Sequence, residues 1–302
     1  MTQKIDYDVI IIGGSYAGLS AAMALGRALR NVLIIDSGKP CNIQTPHTHN
    51  FITQDGQTPT HITTLAKKQV EKYSTVKFYS GLATNGIKKD NGFEITTQTK
   101  EKFTAKKMIF ATGVKDIMPD IKGFSACWGI SVIHCPYCHG YEYSNHKTGI
   151  LANGDLAYEL AKVINNWTKY LTIYTNGKST LTQEQVLKLK THNIKIVDNE
   201  IDYFAHTKGL LRSIIFKDAT TDSIKALYAR PKFEQHCVIP VQLSCEVTNQ
   251  NYIKIDPFQK TTVPGVFACG DNTSMMRAVT YAIAMGGVAG GMANKELIED
   301  EF

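Results

Sequence analysis

Hydrophobic and polar positions divide the chain into stretches of two periods. A β-branched apolar run at 9–12, in a strand expected over 8–12, enters Gly13-Gly14-Ser15-Tyr16-Ala17-Gly18, and residues 18–29 then repeat with a helical period. Residues 32–36 read as a second strand, so the opening is a β–turn–α–β unit. Beyond a long loop at 37–59, the pattern predicts a helix over 60–72 and strands over 76–79, 92–97, 102–105 and 108–111. Loops of that length in compact domains are usually functional. After Lys115 the pattern restarts with a strand at 148–152, a helix at 156–167 and a strand at 170–174, an internal repeat of the first unit. A late strand at 266–268 runs into Cys269-Gly270-Asp271, and a helix then continues to Leu297. This alternation predicts an α/β protein of two Rossmann-like three-layer domains. The pattern alone sets boundaries near residues 115 and 245.

The length of 302 residues suits two domains, and the 43% hydrophobic content is ample for packed cores. The net charge of +6 comes from scattered pairs such as Lys67-Lys68, Lys88-Lys89 and Lys106-Lys107. No basic stripe forms, so a solvated surface is expected and no nucleic-acid partner. Residues 278–293 are weakly polar, with Gly286, Gly290 and Gly287, Gly291 at four-residue spacing. The run is shorter than the roughly 20 residues that span a bilayer. Its glycines predict close packing against a helix or a cofactor, and no membrane association. No signal peptide is expected before the first strand, which implies a cytoplasmic protein. Seven cysteines in such a protein are not a disulfide framework. Cys41, Cys127, Cys237, Cys245 and Cys269 are isolated, while Cys135 and Cys138 have a spacing that suggests chemistry.

The first glycine turn carries a dinucleotide signature. Gly13 permits the tight turn, Gly18 lets the helix approach the sheet, and amides at the helix start would hold a pyrophosphate. Asp36 ends the next strand and would accept hydrogen bonds from a ribose diol. Ser15 stands at the middle glycine position and keeps a small residue there. The matching turn of the repeat, Ala152-Asn153-Gly154-Asp155-Leu156-Ala157, is eroded. Ala152 replaces a glycine where a tight turn is expected to require positive φ. Asp155 would set a negative charge beside the pyrophosphate position.

Cys135-Pro136-Tyr137-Cys138-His139 sets two thiols about one turn apart at a helix start, where amides favour a thiolate. Pro136 fits a first helical turn. His139 is placed to exchange a proton with a thiol, and His134 is the lesser candidate. The same five residues spell a c-type haem attachment sequence, which normally forms outside the cytoplasm. A zinc site needs four ligands, and no second cysteine pair exists. A purely structural pair is the third alternative to redox chemistry. His47-Thr48-His49 in the long loop lacks an acidic sequence neighbour, so no metal site is expected there.

The ordered set of Gly13–Gly18, Asp36, Ala111-Thr112-Gly113, Cys135-x-x-Cys138 and Val263-Pro264-Gly265-Val266-Phe267-Ala268-Cys269-Gly270-Asp271 resembles the low-molecular-weight thioredoxin reductase family. That family comprises FAD-dependent pyridine nucleotide–disulfide oxidoreductases, and the resemblance covers nearly the whole chain. The resemblance implies a discontinuous FAD-binding domain, 1–114 and 246–302, with the second domain, 115–245, inserted into it and carrying the redox cysteines. It implies that Ser15, Tyr16 and Ala17 line the FAD pyrophosphate and that Asp36 binds the adenosine ribose. Asn42 and Asn50 would approach the flavin side, Ala83 the adenine, and Gly113 would close the chain under the cofactor. Asp271 would accept from the ribityl chain, with Ala278 and Val279 facing the flavin ring. Cys138 would contact the flavin and Cys135 would form the mixed disulfide with substrate. The loop carrying His47 and His49 would pack over FAD or a substrate channel.

The resemblance also implies a homodimer and a thioredoxin-like protein or small dithiol as partner. NADPH-dependent relatives carry paired arginines after the strand that here ends at Tyr174; this chain has Thr175, Asn176, Gly177 and Lys178. The run Cys-Pro-Tyr-Cys-His-Gly is similar to a subgroup that includes dithiol oxidases acting on sulfur-rich natural products. NADPH use is therefore doubtful. A dithiol oxidase passing electrons to oxygen and a reductase fed by a protein donor such as ferredoxin both fit. An ordinary NADPH-dependent reductase and a flavin-binding redox regulator are the alternatives.

Overall fold

The computed structural model describes residues 5–302, so residues 1–4 of the expected first domain lie outside the described residues. The chain divides into two compact units. One contains Met1–Ile43, Pro59–Lys115 and Phe233–Phe302, and the other contains Gln44–Thr58 and Asp116–Lys232.

The first unit is built on a seven-stranded sheet. Val76–Ser80, Val32–Asp36, Tyr7–Ile12 and Lys102–Phe110 run parallel in that order, and Val266–Ala268 pairs parallel with Lys102–Phe110. Gly92–Thr97 and Ala83–Lys89 extend the sheet antiparallel. Both faces are covered, which is why the strands read as unbroken apolar runs. Ile10, Ile12, Leu33, Ile35, Met108 and Phe110 pack with Phe93, Ile95, Ile239 and Leu243 on one side. Val9, Ile11, Ile34 and Ile109 alternate to the other and are fully buried.

Two differences from the sequence reading have local causes. The strands expected at 102–105 and 108–111 are one strand, Lys102–Phe110. Its charged middle is neutralised: Lys106 pairs with Asp8 and Glu301, and the buried Lys107 pairs with Glu296 and Asp300. The second chain crossing falls at 232/233 rather than 245, because Ile239, Leu243 and Cys245 pack in the first unit's core.

Two glycines of the last helix, Val279–Glu301, serve helix packing, as the four-residue spacing of Gly286 and Gly290 predicted. A Cβ on Gly286 would lie 2.1 Å from the carbonyl oxygen of Ala17, and one on Gly290 would lie 2.5 Å from that of Ala21. The helix Tyr16–Arg27 therefore approaches to backbone contact. Ser20 Oγ adds a 2.7 Å hydrogen bond to the Ile283 carbonyl. Among the described residues no helix is long and apolar enough to cross a membrane.

The second unit holds a five-stranded parallel sheet in the order Lys195–Val197, Leu171–Tyr174, Thr148–Leu151, Ala226–Ala229, Val132–Ile133. Helix Gly154–Ile164 buries Ala157, Leu160 and Ala161 against Ile150 and Ile173. The opposite face carries Phe124, Trp128, Tyr174 and Leu227. An antiparallel meander that the sequence reading missed, Ile201–Thr207, Leu210–Phe216 and Thr221–Ser223, adds Phe204 and Phe216 to that core. Its first turn is Lys208-Gly209, both at positive φ, as a two-residue hairpin requires.

Most of the long loop belongs to this second unit. Gln44 Nε2 donates 2.5 Å to the Trp128 carbonyl, and Thr48 and Gln57 form an isolated bridge.

Candidate functional site

In the first unit the functional candidates gather at the carboxyl ends of neighbouring parallel strands. Gly13 lies at φ +103°, and a Cβ there would sit 2.2 Å from the Ala111 carbonyl oxygen. One on Gly18 would sit 1.9 Å from the Gly13 carbonyl oxygen. Both positions are closed to a side chain, so the turn is tight and the helix start lies against it. Ser15 is the N-cap of Tyr16–Arg27 and makes no capping hydrogen bond. The amides of the first turn therefore face outward without a cap from their own chain. Gly14, absent from the expected set, donates its N–H to Asp36 Oδ1 at 3.0 Å, and the Asp36 side chain rests where a Cβ of residue 14 would be.

Tyr16 and Asn42 meet: Asn42 Nδ2 donates to Tyr16 Oη at 3.2 Å, and Tyr16 is buried. Ala17 is the floor on which Gly286 and Gly270 sit. Gly113 has φ +62° with open space around it, so glycine serves the backbone there. Asp271 Oδ2 lies 3.6 Å from Arg277 Nε and 3.9 Å from Cys41 Sγ. Ala278 caps the last helix in extended conformation, and Val279 begins it. Ala83 starts its strand and is buried in the apolar core. Asn272, which sequence reasoning passed over, donates to the Phe110 carbonyl at 2.9 Å and to Thr112 Oγ1 at 3.2 Å. It ties the ends of two strands together. A cradle in which Cβ atoms have no room, uncapped helix amides and a carboxylate at the next strand end fit an adenine dinucleotide.

Asn50 belongs to the other unit. It turns the loop at φ +59° and donates its N–H to Asp55 Oδ1 at 2.7 Å.

Also in the second unit, Cys135 is the extended N-cap of a single turn, Pro136–His139, with Pro136 at its start. Among the described residues all seven cysteines carry free thiols. Gly140 closes the turn, since a Cβ there would meet the Pro136 carbonyl oxygen at 2.4 Å and Trp167 at 2.9 Å. Tyr137 packs edge-on to Trp167 with ring centroids 5.2 Å apart. The Cys135 thiol is lowered to about 6. The Cys138 thiol's hydrogen bond is the main cause, followed by the backbone amides of Cys138 and Tyr137 and the charge of Arg230, all acting against burial. Burial holds the His139 imidazole below its ordinary value; Glu142 opposes this, and His49 and His47 add to it. Near pH 7 Cys135 is therefore largely thiolate and His139 a neutral base. His134 lies just before the turn, after the strand Val132–Ile133.

The low thiol has a direct readout. Alkylation of reduced protein by iodoacetamide should rise with a midpoint near pH 6 rather than the ordinary value of about 8.5. In Cys138→Ala, which removes the stabilising donor, the midpoint should move up. An unchanged midpoint in that variant would show that the neighbouring thiol is not the cause.

His49 is the functional candidate that sequence placed elsewhere. Its ring stands 6.1 Å from that of His139, edge to face. Its acidic neighbours come from the fold: Nδ1 is 3.5 Å from Asp55 Oδ2 and Nε2 is 3.5 Å from Glu142 Oε1. His47 turns its Nδ1 to the Gly56 carbonyl at 3.0 Å.

The second glycine turn is occupied by its own chain. Asn153 Oδ1 accepts from Gly154 N at 2.8 Å, Thr180 N at 2.8 Å and Thr180 Oγ1 at 3.1 Å, while its Nδ2 donates to the Lys178 carbonyl at 2.9 Å. Positive φ falls on Gly154, at +56°, and Ala152 is not among the positive-φ residues. The backbone strain expected at Ala152 is thus absent, and the erosion lies in Asn153 instead. Asp155 accepts from Gln185 Nε2 at 2.8 Å. Thr175 Oγ1 donates to the Gly177 carbonyl, and Asn176 Oδ1 accepts from Ile201 N. Thr175 and Asn176 are thus hydrogen-bonded within the second unit.

The model of the pyridine nucleotide-disulphide oxidoreductase family matches residues 7–286. The thioredoxin reductase tcpT of Claviceps purpurea is 32% identical over 304 residues, covering 97% of this chain and 95% of that protein. A solved oxidoreductase from Agrobacterium tumefaciens is 34% identical with a TM-score of 0.91, covering 97% and 99% of the two chains. TrxB of Bacillus anthracis superposes with a TM-score of 0.94 at 28% identity, over 98% and 100%.

Proposed function

Since the chain belongs to the pyridine nucleotide-disulphide oxidoreductases and is a thioredoxin-reductase-like, flavin-dependent oxidoreductase, we propose that it passes electrons between FAD and the Cys135/Cys138 dithiol without efficient use of NADPH. The observation that carries this reading is the Cys135 thiol, lowered to about 6 beside the Cys138 thiol. In this reading the Gly13–Gly18 turn holds the FAD pyrophosphate, Asp36 the ribose and Asp271 the ribityl chain, with Ala278 and Val279 toward the ring. Bound FAD supplies two-electron chemistry to the dithiol.

The chain's own residues account for the thiol steps. In the reducing direction, Cys135 thiolate attacks a substrate disulfide, forming a mixed disulfide and expelling one substrate sulfur. His139 then takes the Cys138 proton, Cys138 attacks Cys135 sulfur, and the second substrate sulfur leaves with a proton. Dithiol oxidation runs the same steps backward. Either a small dithiol or a thioredoxin-like protein suits the exposed Tyr137 rim of this turn. Oxygen or a protein such as ferredoxin serves as the other redox partner.

The hydrogen bonds of Asn153 support the absence of efficient NADPH use, because they consume the amides a pyrophosphate needs. Asn153→Gly frees those amides at a cost of a few tenths of a kcal/mol in helix capping. A regained hydrogen bond of about 1.4 kcal/mol corresponds to roughly tenfold tighter NADPH binding in equilibrium titration. Unchanged affinity would remove Asn153 from the argument. The relatives' names favour a second reading, an ordinary thioredoxin reductase, which on the resemblance would take its electrons from NADPH. Steady-state turnover separates the two: a dithiol with oxygen or a protein donor on the first reading, NADPH with a disulfide on the second.

A further inference from the structure

We propose that His49 is a positioning residue for proton transfer at the dithiol, forming with Glu142 and Asp55 the path by which the proton taken by His139 reaches water. The inference rests on the reading of Cys135 and Cys138 as the redox pair. With Cys135 already a thiolate, closing that dithiol breaks the Cys138 S–H bond and forms one S–S bond; the electron pair would pass to bound FAD, and the Cys138 proton leaves through His139. His139 is the last residue of the dithiol turn, but it is half-buried and needs an outlet.

The outlet is a graded series. The side-chain exposure is 20% at His49, 37% at Glu142 and 62% at Asp55. Each ring nitrogen of His49 faces a carboxylate oxygen at 3.5 Å, so a second proton on the ring is balanced from both sides. Asp55 is fixed for this role, because its other oxygen accepts the Asn50 N–H. The left-handed turn at Asn50 and the Thr48–Gln57 bridge set the loop that presents both residues. The charged and titratable groups around the pair come from three places. His47 and Asp55 belong to the loop; Cys135, Cys138, Glu142 and Tyr143 belong to the dithiol turn and the residues after it. Tyr228 and Arg230, at the end of the strand Ala226–Ala229, face Cys135.

The test uses His49→Gln, Asp55→Asn and His139→Gln. In His49→Gln, anaerobic reduction of bound flavin by a dithiol should slow about tenfold, its pH profile should shift, and added imidazole should restore the rate. In His139→Gln the loss should be about a hundredfold, within the usual range for a general base. Independently of flavin, NMR titration of His139 in the reduced protein should show its midpoint rising in His49→Gln, since the lowering influence of His49 is removed. Asp55→Asn should slow reduction by a smaller factor. An unchanged rate and pH profile in His49→Gln overturns the relay. So does a slowed rate that imidazole does not rescue while the His139 titration stays put, since His49 is then only structural. If His139→Gln reduces its flavin at the native rate, the failure lies instead in the parent assignment of the base.

Discussion

Cys138→Ser and Cys135→Ser each abolish reduction of the flavin by an added dithiol under anaerobic conditions. The two variants fail at different points. Cys135 carries the lowered thiol, so its loss removes the group that meets substrate, and no mixed disulfide forms. With Cys138 replaced and a substrate disulfide supplied instead of a dithiol, the Cys135 thiolate should still attack it and expel one sulfur, but the second exchange has no nucleophile. The mixed disulfide should then accumulate and be visible as a mass increase equal to the substrate portion that stays bound. Serine at pH 7 offers essentially no alkoxide, so both losses should reach background. A double serine variant that still reduces its flavin at the native rate would show that electrons take another route.

The second large effect is expected at Gly18. Gly18→Ala places a Cβ 1.9 Å from the Gly13 carbonyl oxygen, inside the hard-core distance of backbone that also carries the φ +103° turn. The helix must withdraw from the turn, and over-packing of this kind costs about 1–3 kcal/mol even where the surroundings adapt. Since the displaced atoms form the cradle itself, the protein should purify largely without FAD and melt at lower temperature. Gly291→Ala is the matching control, as its Cβ meets open space in the last helix. It should keep full flavin content. Normal flavin occupancy in Gly18→Ala would contradict the placement of the cofactor at this turn.

What the sequence disclosed depends on how far apart the interacting residues lie. Gly13, Gly18 and Asp36 were legible because strand, turn and helix are consecutive and their chemistry is local. The glycines of the last helix were legible as a packing face, although their partner, the helix Tyr16–Arg27, was not. Lys106-Lys107 looked like a break because the carboxylates that neutralise it, Asp8, Glu296, Asp300 and Glu301, lie far off in sequence. Asn153 looked like a filler between two informative positions. Its effect depends on Thr180, which reaches it only once the parallel strands Thr148–Leu151 and Leu171–Tyr174 are paired. His49 was the hardest to place. Nothing in His47-Thr48-His49 indicates that this loop packs with the unit containing His139 and Glu142. The fold followed from periodicity, while the parts of the site that modify its chemistry depended on tertiary contacts.

The central claim is that the dithiol, and not NADPH, exchanges electrons readily with the flavin. Anaerobic stopped-flow absorbance of the native protein tests it directly, with a dithiol in one series and NADPH in the other. The account predicts fast bleaching of the oxidised flavin band by the dithiol. With NADPH at micromolar concentration it predicts reduction at least about a hundredfold slower, the factor expected when two phosphate contacts are lost. Fast, saturable reduction by micromolar NADPH, with no response to the dithiol, would contradict it.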